Sequence, residues 1–139
     1  MFKPSVIVSA FILLACATPA FAQSCPVNFR VEGTAGVTGM NYRSFQEFPG
    51  VDSRKAVTTL KQAMLAEGFS NIREDRANGA LTAMQETSGS GRPQTLRVVA
   101  RKMGGGTRVD AVFIVQPGQM AEAPVVRNAI CRVVSSLAR

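Results

Sequence analysis

The segment around Gly104-Gly105-Gly106 constrains the fold more than any other feature of the sequence. If the chain reverses at Gly104-Gly105, Met103 lies opposite Gly106 and Arg101 lies opposite Arg108. One sheet face then receives only apolar side chains: Leu96, Val98, Ala100, Val109, Ala111 and Phe113. The other face receives a mixed set: Arg97, Val99, Arg101, Arg108, Asp110 and Val112. A slip of one residue would move every side chain of a strand to the other face, so this separation predicts a two-residue turn.

A second hairpin is predicted at Asn78-Gly79, because both residues tolerate the positive φ that a tight turn requires. A two-residue turn there places Ala77 opposite Ala80 and Asp75 opposite Thr82. One face of this hairpin carries Ile72, Leu81 and Ala83, and the other carries Arg73, Asp75, Thr82 and Met84.

Two segments that flank the hairpins have apolar residues at helical spacing. The first helix is predicted to begin at Asp52-Ser53, where either side chain can cap the free N–H groups, and to end at Gly68. Its apolar face consists of Ala56, Val57, Leu60, Ala63 and Met64. The closing helix has Pro124 in its first turn. Its apolar stripe consists of Val126, Ile130, Val133 and Leu137.

The order of these elements predicts the fold class. We expect an α+β fold with an antiparallel sheet of four to five strands and two helices on one sheet face, in the order β-α-β-β-β-β-α. The first strand is predicted within Val27 to Glu32. Residues 23–52 form the N-terminal strand and an aromatic loop, residues 53–139 form the α-β-β-β-β-α domain, and both belong to one globular unit.

Residues 33–50 are the hardest part of the chain to interpret. Their glycines and proline favour a loop or an irregular strand, which carries the aromatic residues Tyr42, Phe45 and Phe48. Loops often carry binding residues, so these three are a candidate interaction loop. The alternative is that they pack into the core.

Residues 1–22 have the three parts of a secretory signal peptide. Lys3 provides the positive start, Val6 to Ala15 provides a short apolar run, and the Ala20-x-Ala22 ending predicts cleavage between Ala22 and Gln23. The apolar run is too short to span a membrane. An alternative is lipidation of Cys16, which follows a partial lipobox at Leu13-Leu14-Ala15. Either route predicts export, and cleavage after Ala22 predicts a periplasmic protein without a transmembrane span.

Two cysteines, Cys25 and Cys131, remain after the leader is removed. An even pair in an oxidising compartment predicts a disulfide bond, which would tie the N-terminal segment to the closing helix. The alternative is a reactive redox pair, but the sequence contains no Cys-x-x-Cys motif.

The chain lacks the residues that most catalytic sites require. It contains no histidine, which excludes histidine-based triads and most zinc sites. Its carboxylates are scattered, and the Gly104-Gly105-Gly106 segment joins two strands, whereas a phosphate-binding loop joins a strand to a helix. We therefore expect no catalytic residue, no metal and no cofactor.

A basic sheet face is the feature that points to a partner. The chain has a formal net charge of +7, and the predicted register of the Gly104-Gly105 hairpin places Arg97, Arg101 and Arg108 on one face. Arg73, in the other hairpin, is a further candidate for this face. The planar guanidinium binds phosphates and carboxylates well, so this face is a candidate surface for an anionic partner. The alternative is an ordinary solvated face, partly neutralised by Asp75, Glu86 and Asp110.

The order of turns and caps resembles a known fold. A helix that ends at Glu67-Gly68-Phe69, followed by a hairpin at Asn78-Gly79, resembles the helix-grip domains of bacterial outer-membrane assembly lipoproteins and of several uncharacterised periplasmic families. The resemblance covers roughly residues 53–137. It implies a binding or scaffolding role and transfers no catalytic residue, since a shared fold does not determine function.

These observations lead to two hypotheses about function. The first is a non-enzymatic binding or interaction domain of the periplasm that contacts an envelope protein or an anionic envelope surface, with nucleic acid not expected as a partner. The alternative is an enzyme or enzyme regulator that acts on cell-wall or other anionic envelope substrates. The alternative requires a concave pocket with converging polar groups, around Tyr42, Lys61 or Glu74 for example.

Overall fold

The computed structural model describes residues 23–86 and 92–139. The predicted signal peptide, its cleavage after Ala22 and the possible lipidation of Cys16 lie outside the described residues. No helix in the described ranges is both long enough and apolar enough to span a membrane.

The fold is α+β, with one antiparallel sheet and two helices, as predicted. The strands and helices, in chain order, are β1 (Arg30–Glu32), β2 (Met40–Pro49), α1 (Ser53–Ala66), β3 (Ser70–Asp75), β4 (Ala80–Gln85), β5 (Gln94–Met103), β6 (Gly106–Val115) and α2 (Ala123–Val134). A short 3-10 helix follows at Ser135–Ala138. The sheet has six strands in the order β1-β2-β6-β5-β4-β3, and not the four to five that the sequence predicts.

The additional strand is β2, in the segment that was expected to be a loop or an irregular strand. It pairs with β6 over its whole length, from Met40 opposite Val115 to Pro49 opposite Gly106. The helix-side positions of β2 include the polar residues Ser44 and Gln46, while Phe45 points to the other side. This mixture hides the alternation by which a half-buried strand is recognised.

The β5–β6 hairpin has the predicted register. Met103 pairs with Gly106 and Arg101 pairs with Arg108, so the turn consists of Gly104-Gly105. The β3–β4 hairpin differs from the prediction, because Asp75 pairs with Ala80 and not with Thr82. The carboxylate of Asp75 accepts hydrogen bonds from the backbone and side chain of Asn78 and holds a longer turn. The register shifts by two residues, which leaves every side chain on its predicted face.

Both helices begin and end near the predicted residues. The Asp52 side chain accepts hydrogen bonds from the backbone N–H groups of Arg54 and Lys55, at 3.0 Å each, and caps α1. After α1, Gly68 adopts a φ of 85°, and the Phe69 N–H returns to the Met64 carbonyl. The predicted apolar stripe of the closing helix is buried through Val133, and Leu137 lies partly buried in the 3-10 helix.

The core lies between the helices and one face of the sheet. Its strand residues are the buried members of the alternating pattern, including Leu96, Val98 and Val109, which have no solvent-accessible surface. Cys25 and Cys131 form the predicted disulfide bond, with 5.5 Å between their Cα atoms. This bond attaches the segment before β1 to α2 and closes one edge of the core.

The open face of the sheet as a candidate interaction surface

The six-stranded sheet has one face packed against both helices and an opposite face that we term the open face. Arg97 shows the division in β5, because it is exposed while its neighbours Leu96 and Val98 are fully buried. The central strands continue this alternation, since Val109 and Ala111 of β6 are buried. The structure therefore places the four candidate arginines Arg73, Arg97, Arg101 and Arg108 on the open face.

The strand registers align four arginines in a line that crosses the sheet. Directly paired residues form the sequence Arg30, Arg43, Val112, Arg97, Thr82 and Arg73, one from each strand. We term this line the arginine row; it contains no acidic residue. Neighbouring strands lie about 4.8 Å apart, so the backbone positions of Arg43, Arg97 and Arg73 follow at intervals of about 10 Å.

Two members of the arginine row have neither an ion pair nor a side-chain hydrogen bond within the described residues. For Arg73 and Arg97, no carboxylate lies within 4 Å. Hydrogen bonds from Asn78 lower the pKa of Asp75, and the positive charge of Arg97 contributes to the same shift. Arg97 therefore favours the charged form of Asp75 through space, without forming a direct ion pair with it.

At the other end of the row, the two arginines have contacts within the chain. Arg43 pairs with Glu32 at 2.8 Å. Arg30 donates hydrogen bonds to the backbone carbonyls of Val27 and Phe29. A depression of about 290 Å³ lies beside them on the open face, and Phe45 forms part of its wall.

Arg101 and Arg108 lie on the same face, four residues along their strands from the arginine row, and are largely neutralised. Arg101 donates to Asp110 at 2.6 Å, and Arg108 donates to the same carboxylate at 3.1 Å. The guanidinium of Arg108 also lies 3.8 Å from the centre of the Phe45 ring and 3.5 Å from Glu47. These two arginines were predicted as part of the binding surface, but their charges are already compensated inside the protein.

The aromatic residues Tyr42, Phe45 and Phe48 all lie in strand β2, and not in the loop that the sequence suggests. Tyr42 and Phe48 are buried in the core. The Tyr42 hydroxyl donates to the Ala121 carbonyl at 2.7 Å, and burial raises its pKa. Phe45 is the member that faces the open side, where it supports Arg108.

No known protein family matches the chain, and no curated protein matches it either. The resemblance to helix-grip domains therefore stays a prediction, and the functional argument depends on the residues themselves.

A groove that sequence reasoning missed lies beside α2 on the helix side of the sheet. It has a volume of about 460 Å³, and Phe69, Phe113 and Val126 line its floor. Met120 and Val125 are exposed at its rim. Single apolar residues are common on protein surfaces, so these two do not identify a groove in the sequence. Of its charged groups, Glu67 and Arg132 bind each other at 2.7 Å and 2.8 Å, and Glu122 is exposed.

The three residues named for an enzymatic pocket do not converge in this groove. The Tyr42 hydroxyl already has the Ala121 carbonyl as its acceptor. Lys61 and Glu74 form an ion pair at 3.5 Å between α1 and β3. Within the described ranges, no group of three or more Asp, Glu, His or Cys residues could hold a metal ion.

Proposed function

We propose that this chain is a non-enzymatic interaction domain of the bacterial cell envelope and that the open face of its sheet contacts the partner. The arginine row carries this proposal. It places Arg30, Arg43, Arg97 and Arg73 across all six strands without an acidic residue among them. Neither helix packs against this face, which leaves the row available to an anionic partner.

Two observations support an envelope location. The leader pattern of residues 1–22 is typical of secreted proteins. The disulfide bond between Cys25 and Cys131 is of the kind that persists in oxidising compartments such as the periplasm. Mass spectrometry of the chain purified from cells tests the location: Gln23 as the first residue supports periplasmic release, a lipidated Cys16 shows membrane attachment, and a retained leader contradicts export.

Photo-crosslinking in intact envelopes tests the contact surface. A photoreactive amino acid replaces Thr82, a neutral member of the arginine row, and in a control variant it replaces Thr58, an exposed residue of α1. We expect crosslinked products from position 82 and few from position 58. Equal products from the two positions would contradict the open face as the contact surface.

A charge-removal experiment provides a second test. One variant replaces Arg73, Arg97 and Arg101 with Ala, and a matched variant replaces Arg54, Lys55 and Arg127, three exposed cations of the helices. Both variants lose three positive charges, so a nonspecific effect of net charge changes both equally. We expect only the first to lose the product crosslinked at position 82.

A further inference from the structure

The cations of the open face are all arginines. Four form the arginine row, and Arg101 and Arg108 lie beside it. The described lysines lie elsewhere. Lys55 and Lys61 belong to α1. Lys102 pairs with Thr107, whose side chain is buried on the helix side, so Lys102 belongs to that side of the sheet as well. Protein interfaces are enriched in Arg and depleted in Lys. Anionic membranes attract both residues as positive charges. The composition therefore favours a protein partner.

The surface between the arginines is mainly apolar or β-branched. Val112 and Thr82 alternate with the arginines of the row. Val99 lies in the adjacent line of paired residues, between Asp110 and the buried Ala80, and Ile114 is partly exposed beyond Val112. An apolar centre with arginines around it is the usual composition of a protein–protein interface.

The open face is large enough for one side of a stable interface. The strands contain 3, 10, 6, 6, 10 and 10 residues in chain order. With a rise of about 3.3 Å per residue and about 4.8 Å between strands, they cover roughly 700 Å². A standard interface buries about 800 Å² on each partner.

The spacing of the arginine row defines the geometry of the partner. Arg43, Arg97 and Arg73 follow one another at about 10 Å. On an α-helix, residues i and i+7 lie on the same face and are about 10.5 Å apart. A helix that crosses the strands with carboxylates at i, i+7 and i+14 therefore matches all three arginines.

We propose that the partner of the open face is a protein that lays an acidic helix along the arginine row, with carboxylates one heptad apart. This inference rests on the proposed function and specifies the partner. Each carboxylate accepts paired hydrogen bonds from one guanidinium, a geometry that Lys cannot supply. Arg73 and Arg97 contribute most, because they have no ion pair to break within the described chain.

A synthetic probe tests the geometry. We use a fluorescent, alanine-rich helical peptide with Glu at i, i+7 and i+14, and a control peptide that has the same composition but its three Glu residues on different helix faces. The chain purified from the envelope should bind the heptad peptide about tenfold more tightly, a difference of about 1.4 kcal/mol in binding free energy. Equal affinities for the two peptides would overturn the proposal.

Arg-to-Lys variants separate paired hydrogen bonding from charge. Arg73→Lys and Arg97→Lys keep the net charge, and each should weaken heptad-peptide binding several-fold. Arg127→Lys, on the exposed side of α2, should leave it unchanged. Binding to phosphatidylglycerol vesicles tests a membrane surface as the partner. If wild type and both Lys variants bind the vesicles tightly, and wild type does not prefer the heptad peptide, the open face binds a membrane and the proposal is wrong.

Failure of this inference can be distinguished from failure of the proposed function. If crosslinking from position 82 persists while the two peptides bind equally, the open face is an interaction surface for a different partner geometry. If crosslinking from position 82 is also absent, both proposals are wrong.

Discussion

Arg101 and Arg108 face each other across the β5–β6 hairpin, and both donate hydrogen bonds to the carboxylate of Asp110. Like charges at directly paired positions of two strands are destabilising. Asp110 reduces this repulsion between Arg101 and Arg108. The same contacts reduce the positive charge that these arginines present to a partner. Within the described residues, the cations of the open face that have no ion pair or side-chain hydrogen bond are Arg73 and Arg97 of the arginine row.

Asp110→Asn therefore should strengthen binding of an anionic partner. The substitution keeps the shape of the side chain and releases the charges of Arg101 and Arg108 next to the arginine row. We expect tighter binding of the heptad peptide at low salt and a steeper loss of affinity as salt rises, because exposed charges are screened. The stability cost should be about 1 kcal/mol or less, as for most exposed ion pairs.

Glu122→Gln is the matched control for this change. Glu122 is exposed before α2, so its replacement raises the net charge equally but away from the open face. Anisotropy titrations at several salt concentrations compare the two variants. Equal gains in affinity would show that net charge, and not the open face, controls binding.

Adjacent substitutions in β5 test the assignment of the two faces. Leu96→Ala removes a fully buried side chain and should lower the free energy of unfolding by about 2–5 kcal/mol. Arg97→Ala changes the exposed neighbour and should cost about 0.5 kcal/mol or less. Urea denaturation followed by circular dichroism measures both values. If Arg97→Ala lowered the free energy of unfolding more than Leu96→Ala, the assignment of the inner and outer faces would be wrong.

Loss of the disulfide bond should destabilise the domain strongly. Cys25 and Cys131 are 106 residues apart, and closing a loop of that length restricts the unfolded chain by about 4–5 kcal/mol in the chain-entropy model. The Cys25→Ser/Cys131→Ser variant should therefore unfold at much lower urea than the oxidised wild type. Reduced wild-type protein is the control and should resemble the variant. Unchanged stability after reduction would contradict a structural role.

Asp52 should make the stability of α1 depend on pH in the acid range. Hydrogen bonds from the Lys55 and Arg54 backbone N–H groups, with the nearby charges of both residues, lower the pKa of Asp52 in the folded state. The unfolded chain then binds protons more readily. The stabilising contribution is complete above the unfolded pKa of about 3.9 and is lost as pH falls through the lower folded value.

The corresponding variants are Asp52→Ala and Asp52→Asn. Asp52→Ala should lower the thermal midpoint at pH 7, and this difference from wild type should shrink below about pH 4. Asp52→Asn retains an N-cap acceptor, so its loss should be smaller and should depend less on pH. Melting curves from pH 2 to 7 measure both effects. A difference that grows at low pH would contradict the direction of the pKa shift.

Much of the fold could be predicted because its signals are local. The Gly104-Gly105 turn fixes the β5–β6 register through residues close in sequence, and alternation then separates Leu96 from Arg97. The caps of α1 and its end at Gly68 depend on neighbouring backbone groups in the same way. The β3–β4 turn has four residues where the sequence predicts two, because Asp75 accepts hydrogen bonds from Asn78, a local contact that competes with the tighter turn.

The candidate site could be predicted only in part. Arg97 and Arg101 share a face because they are two residues apart in one strand, which is a property of the sequence. Their unequal availability depends on Asp110, whose carboxylate contacts Arg101 and leaves Arg97 without an ion pair in the described chain. Alternation along a strand determines the sheet face to which each side chain points, but it does not determine which of several nearby charged groups form ion pairs.

Local patterns in the sequence predict the β5–β6 hairpin, the cap of α1, the pairing of Cys25 with Cys131 and the division into an apolar and an arginine-bearing face. The strand at residues 40–49, between β1 and β6, is visible only in the folded chain. That pairing brings Arg43 of β2 opposite Val112 of β6 and completes the arginine row. A hairpin is specified by its own turn, whereas α1 and three strands separate β2 from β6 along the chain, so no local signal specifies their pairing.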